Sequence, residues 1–162
     1  MRQLPLFPAS VVGSLPRPQH VRELIEKPSW NEAEEGAMDA AIRYAVSMQE
    51  MAGLDVVTYH YYGNVSQRCG SPPSLRDQAL SADWLDRTVI DAEFYGALRD
   101  RYEPGKPLWL NETAQAACGG SPWASTFLDS FRYLNQLGAL ARKGVQVVAH
   151  NTLAASDYGL ID

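Results

Sequence analysis

Glu112 closes the stretch Leu108-Trp109-Leu110-Asn111-Glu112, an apolar run that ends in a carboxylate. An acid in that place is paired, solvated or reactive, and the reactive roles are nucleophile and general acid or base. The structural alternative is a pair with Arg68 or with a neighbouring backbone N–H. Two histidines, His60 and His150, also end apolar runs. Each is read either as a ligand contact or as a hydrogen-bonded core residue. Together with Cys69 and Cys118 they make a His2Cys2 set that a tetrahedral zinc would accept. Their spacing fits no tight zinc motif, so no metal is assigned, and no motif implies a cofactor. Two cysteines do not make a disulfide framework. Trp123, in a loop, is the better stacking platform for a ligand, and Trp109, inside an apolar run, the better core residue. The Gly-Gly at 119–120 could cradle a phosphate, but turn geometry alone accounts for it.

These residues have to be held by regular elements, and the chain supplies a readable series. Residues 10–14 form a short β-branched run closed by Gly13-Ser14. Residues 19–27 read as a helix that stops before Pro28. Residues 32–53 read as a helix with acids at its N-terminal end and Gly53 at its C-terminal cap. Its expected buried stripe is Ala41, Ala45, Met48 and Ala52. Residues 54–62 are too apolar for a solvated face and read as a buried parallel strand. A loop follows over 63–74. Residues 82–102 read as a helix with Leu85, Val89, Phe94 and Leu98 inward. Residues 106–113 are a strand and 114–124 a loop. Residues 125–144 are a helix capped by Ser125 and closed by Gly144. Residues 145–153 are the last strand.

The order β-α-β-α-β-α-β with short connections predicts βαβ units around a parallel sheet. The strands turn polar only at their C-terminal ends, at Ser14, His60, Glu112 and His150, where α/β folds bind ligands. A closed (β/α)8 TIM barrel needs eight strands and about 250 residues. With 162 residues, the expectation is an α/β chain forming a partial barrel, about four parallel strands alternating with helices, a half barrel. It is read as a single unit over 1–162. Open parallel edges are an association hazard, and two copies could close a barrel as a homodimer.

Bulk properties exclude some partners. The net charge of −5 leaves no basic footprint for nucleic acid. No apolar run approaches the roughly 20 residues of a membrane-spanning helix. The N-terminus is too rich in proline and too short in apolar block for a secretory signal, which makes a cytoplasmic location the expectation.

Over residues 55–162 the words "VVTYHYYGN", "GKPLWLNETAQAACGGSPWASTFLDSFRYLNQLGALARKGVQVVAHNTL" and "SDYGLID" resemble glycoside hydrolase family 79, the heparanase and β-glucuronidase group. The resemblance implies the C-terminal half of a (β/α)8 barrel and a retaining glycosidase. It makes Glu112, in Trp109-Leu110-Asn111-Glu112-Thr113, the equivalent of the nucleophile. It puts His60, Tyr61 and Tyr62 at the aromatic end of a strand lining the sugar pocket, with one tyrosine bonding the nucleophile. Tyr158 would match a tyrosine near a uronate carboxylate, and His150-Asn151 stand where many members have Arg-Gln. The implied partner is carbohydrate, specifically a uronic-acid glycoside. Ser156-Asp157 replace the usual Gly-Asn before that tyrosine, and an aspartate beside a bound carboxylate would repel it.

A retaining glycosidase also needs a second carboxyl group about 5–5.5 Å from the first. In the resembling enzymes that acid follows an asparagine. The Asn-Glu pairs here are Asn31-Glu32 and Asn111-Glu112, and the first reads as a helix cap with a first-turn acid. The chain therefore shows one half of the carboxylate pair.

Residues 1–57 resemble something else. "VVGSLPRPQHVRELIE" and "EEGAMDAAIRYAVSMQEMAGLDVV" look like the barrel of cobalamin-independent methionine synthase. That resemblance makes 1–54 a methionine-synthase-like βα segment and implies a homocysteine-type site at Gly13 and Ser14. Three readings thus stand: a glycosidase-related half barrel, a methyltransferase module, and a self-associating half barrel without activity.

Overall fold

The computed structural model describes residues 4–6, 8–10, 15–153 and 159–160. Within them the order is α1 (Gln19–Ile25), α2 (Glu32–Met51), β1 (Val57–Tyr62), α3 (Ala82–Tyr102), β2 (Leu108–Ala114), α4 (Phe127–Arg142) and β3 (Val145–His150). Among the described residues there is one sheet of three strands, in the order β1-β2-β3, with both pairs parallel. The architecture is mixed α/β, as the alternation of elements predicts. The expected strand over 10–14 lies, except for Ser10, outside the described residues.

Local chemistry explains the boundaries. Asn31 caps α2: its side chain accepts from Glu34 N, and Glu34 reaches back to Asn31 N. Ser81 caps α3 by accepting from Trp84 N. Gly144 follows α4 at φ 77°, a left-handed turn that glycine adopts without a Cβ clash. The N-terminus of α4 differs from the expectation. Its cap is Thr126, and Ser125 sits at φ 56° with its hydroxyl donating to Gly159 O. Ser125 is spent on that tie and does not cap the helix.

Helices α3 and α4 share one face of the sheet. The core between them is Tyr59 and Tyr61 of β1, Leu108 and Leu110 of β2, Val145 of β3, Ala92 of α3 and Leu140 of α4. A second cluster sets Trp84 of α3 edge-on to Trp123, with ring centroids 5.7 Å apart. Two expected apolar stripes are only partly buried, with Leu85 of α3 packed against the Trp84–Trp123 cluster. On α3 the buried residues are Trp84, Thr88 and Ala92, while Phe94 is 58% exposed. The buried column is one position away from Leu85 and Val89, and in it Thr88 accepts a hydrogen bond from Gln136. Helix α2 has no buried residue, and Met48 is 50% exposed. It packs on α1 and reaches α3 through polar contacts at Asp39, which meets Tyr102 and Arg101. Its apolar stripe has no sheet against it among the described residues.

Candidate functional site

The aim of Glu112 depends on one extra residue. In β2, Tyr59 pairs with Leu110, but His60 pairs with Glu112, so Asn111 has no counterpart in β1. The other ladder agrees: Leu110 pairs with Val148 and Thr113 with His150, three steps on β2 against two on β3. Side chains alternate faces along a strand. In a regular strand that kept Asn111 in the ladder, Glu112 would share the helix side with Leu108 and Leu110. The bulge inverts the pattern, so that Thr113 points to the helices and Glu112 to the opposite face, beside His60 and Tyr62. Bulges commonly re-aim a side chain in this way.

On that open face four residues meet. The Tyr62 hydroxyl donates to Glu112 Oε1. Asn151 Nδ2 donates to the Tyr62 oxygen at 3.1 Å. His60 Nδ1 lies 3.6 Å from Glu112 Oε2. The His60 and Glu112 side chains are 34% and 33% exposed, so water screens their attraction and it adds little to stability. The Tyr62 bond to a carboxylate is the charge-assisted, directional one. Arg68, the alternative partner for Glu112, instead packs against Gly119: a Cβ on that glycine would sit 3.3 Å from Arg68 Cδ.

Two residues expected in the pocket are turned the other way. Tyr61 is one residue out of phase with His60 and Tyr62 and lies in the helix-side core. Its burial pushes the phenol up to about 12, which keeps it a neutral core group. His150 pairs across the sheet with Thr113 and shares its helix-side face. Its ring stands edge-on to Tyr133, and its Nδ1 lies 3.0 Å from Thr152 O. A carbonyl only accepts, so Nδ1 carries the proton and Nε2 faces Arg132 Nη2 at 3.5 Å. Burial first, and the Arg132 charge second, hold His150 below its ordinary value of 6.5. Tyr158, Gly13 and Ser14 lie outside the described residues.

Beneath the sheet is a buried polar layer that the sequence did not announce. Arg132 Nε donates to Asp129 Oδ1 at 2.7 Å, and the two side chains are 4% and 0% exposed. Arg132 Nη1 donates to Gln136 Oε1 at 2.8 Å. Gln136 Nε2 lies 3.1 Å from both Thr113 Oγ1 and Thr88 Oγ1. Gln115 Nε2 donates to Asp129 Oδ2 at 2.8 Å. The layer grips Thr113 and Gln115, which follow Glu112 in the chain, and ties them to α4. Its sequence signal was the Asp129, Arg132, Gln136 spacing of three and four, which puts all three on one helix face. On an isolated helix that reads as a solvated charge stripe.

The loops after β1 and β2 are laced together beside the site. Cys69 and Cys118 form a disulfide with their Cα atoms 6.1 Å apart. The reading that two cysteines make no disulfide framework missed this link, which removes both sulfurs from the His2Cys2 zinc set. Among the described residues no group of three or more His, Cys, Asp and Glu could hold a metal. Ser66 N donates to Ala117 O and Ala117 N to Asn64 O, each at 2.9 Å. Gly119 stands at φ 113°, so the turn itself calls for glycine. Trp123 is no platform: it is fully buried, with its indole N–H 3.2 Å from Ser74 O. Two cavities, of about 260 Å³ around Glu50, Asp55 and Lys106 and about 520 Å³ around Asn64, Pro73 and Arg87, do not have Glu112 in their lining.

Sequence comparison gives this geometry a context. No family model matches the chain. Bovine heparanase (Bos taurus) is 34% identical over 111 residues, 67% of this chain and 19% of the relative. The chain is similar to heparanases. Heparanase-like protein 1 of Arabidopsis thaliana is 32% identical over 110 residues, and the baicalin-β-D-glucuronidase of Scutellaria baicalensis 31% over 111, each covering 67% of this chain. The similarity is thus to the heparanase and β-glucuronidase group. The matched part spans about a fifth of the length of the heparanases and heparanase-like proteins. The resemblance of residues 1–57 to methionine synthase finds no support in these relatives.

Proposed function

We propose that the open face of this sheet is the nucleophile side of a retaining glycosidase site. Glu112 is the nucleophile, Tyr62 orients its carboxylate and His60 flanks it. The observation that supports this reading most is the Tyr62–Glu112 hydrogen bond on the open face of β1 and β2. The similarity to heparanases and a β-glucuronidase supplies the reaction class. A glycosaminoglycan or other uronic-acid glycoside is the proposed substrate class.

In this reaction Glu112 attacks the anomeric carbon, the glycosidic C–O bond breaks, and the leaving oxygen takes a proton from a second acid. We assign no such acid within the chain. Glu32 stands in the first turn of α2, next to the Asn31 cap. On this proposal the chain alone reacts with glycosides whose leaving groups need no protonation, and turns over ordinary glycosides negligibly. The half-barrel arrangement belongs to the same proposal. So does an oxidising location, which the Cys69–Cys118 bond supports over the cytoplasmic expectation, since structural disulfides are rare in the cytosol.

The test is covalent trapping. A 2-fluoro uronosyl fluoride should esterify one carboxyl group of the protein, and peptide mapping should place it on Glu112. Tyr62→Phe should slow trapping roughly 10- to 100-fold, the range for losing a hydrogen bond to a charged group. Esters scattered over surface acids, or a Glu112→Gln protein that labels as fast as the parent, would end this reading.

A further inference from the structure

The geometry points to Asn151 as a positioning residue for Glu112, acting through Tyr62 and not through the sugar. The inference rests on the nucleophile reading for its chemical consequence, while the contact itself stands on geometry. Asn151 follows β3 directly. Its backbone N–H bonds Thr113 O at 2.8 Å, which anchors it beside the residue after Glu112. Its side chain then crosses to β1 and meets the Tyr62 oxygen at 3.1 Å.

Proton counting fixes the direction of each bond. Tyr62 has one hydroxyl proton, and the carboxylate of Glu112, a pure acceptor, takes it. The phenolic oxygen is then an acceptor towards Asn151. Only the NH2 end of the amide can serve it, which sets the orientation of the Asn151 side chain. If the carboxamide oxygen faced Tyr62, it would compete with Glu112 for the single proton. Asn151 thus biases the Tyr62 hydroxyl towards Glu112 and holds one carboxylate oxygen in place, leaving the other on the His60 side. Rigid presentation of a nucleophile is worth rate, because small misplacements are costly. One residue earlier, the same strand end turns His150 to the opposite face, so Asn151 is the polar side chain that β3 contributes here.

The experiment uses the full chain and the 2-fluoro uronosyl fluoride probe in parent, Asn151→Ala, Asn151→Asp, Tyr62→Phe and the Tyr62→Phe/Asn151→Ala double variant. A neutral hydrogen bond lost corresponds to about a fivefold fall in the limiting trapping rate. Asn151→Ala should show that fall with the probe's half-saturation concentration unchanged. Asn151→Asp, nearly the same shape but accepting only, should be slower still because it draws the Tyr62 proton away. In the Tyr62→Phe background Asn151→Ala should have no further effect, the non-additivity expected of residues acting in series. A change confined to half-saturation would make Asn151 a sugar ligand and overturn the inference, as would full additivity with Tyr62→Phe. Failure of the parent to label Glu112 would instead remove the nucleophile reading. In that case the Asn151 side-chain amide resonance decides the contact: it should shift between parent and Tyr62→Phe, and an unchanged resonance overturns it.

Discussion

Arg132→Met tests whether the buried layer under the sheet holds the fold together around Glu112. Arg132 and Asp129 are 4% and 0% exposed, so water screens neither charge. Removing the guanidinium leaves the Asp129 carboxylate buried with the Gln115 amide, at 2.8 Å. Breaking a buried pair by removing one partner costs about 3–5 kcal/mol. For a chain of this size each kcal/mol moves the melting temperature by about 2–4 °C, so Tm should fall by roughly 6–20 °C. The same reasoning makes an unusual second claim. Adding Asp129→Asn to Arg132→Met removes the stranded charge yet keeps an acceptor for Gln115. The double variant should therefore be more stable than the single by about 1–3 kcal/mol, the cost of a buried group left unsatisfied. Urea titrations followed by tryptophan fluorescence measure both, with midpoints compared at constant m. An Arg132→Met loss below about 1 kcal/mol, or a double variant no more stable than the single, would refute the assignment of this pair as a buried, coupled unit.

Deleting Asn111 should remove the bulge yet preserve trapping at Glu112 in a chain still folded by circular dichroism, because Glu112 would then follow Leu110 directly and alternate to the open face. Loss of trapping in the folded deletion variant would refute Asn111 as the inserted residue. Replacing both Cys69 and Cys118 with serine opens a link across a sequence separation of 49, for which loop-closure entropy predicts a loss of about 4 kcal/mol in urea titrations. For His150 the sign follows from its depressed folded value. The unfolded chain takes up the proton first, so stability should decline as pH falls through about 6.5 and level off below the folded value. His150→Gln should make the pH dependence of the urea midpoint shallower over that window, and an unchanged slope would show that the ring does not titrate differently on unfolding.

Periodicity and punctuation carried much of the fold. Acids at the front of α2 and glycine after α4 are local signals, and they placed those helices to within a few residues. The apolar runs over 54–62, 106–113 and 145–153 each contain a strand, and their lack of a polar face announced parallel pairing. Burial of individual helix faces was less legible. The Phe94 and Met48 stripes are apolar in sequence, yet both of these side chains stay at least half exposed.

For the site, residue type and strand-end position singled out Glu112 and His60 as candidates, and the family resemblance added Tyr62 without choosing it over Tyr61. What they could not resolve was which face each side chain takes. Strand alternation has a period of two, so one inserted residue reverses every later assignment, and no local signal marks Asn111 as that residue. Tyr61 and His150 fall on the helix side for the same reason, one step out of phase with their neighbours. The pairing of Cys69 with Cys118, and the Asp129–Arg132–Gln136 layer against Thr113 and Thr88, join positions far apart in the chain. Composition thus determined which chemistry was present and roughly where along the chain. Only tertiary packing decided which groups face one another, because contacts between distant segments depend on register and orientation that no stretch of sequence encodes alone.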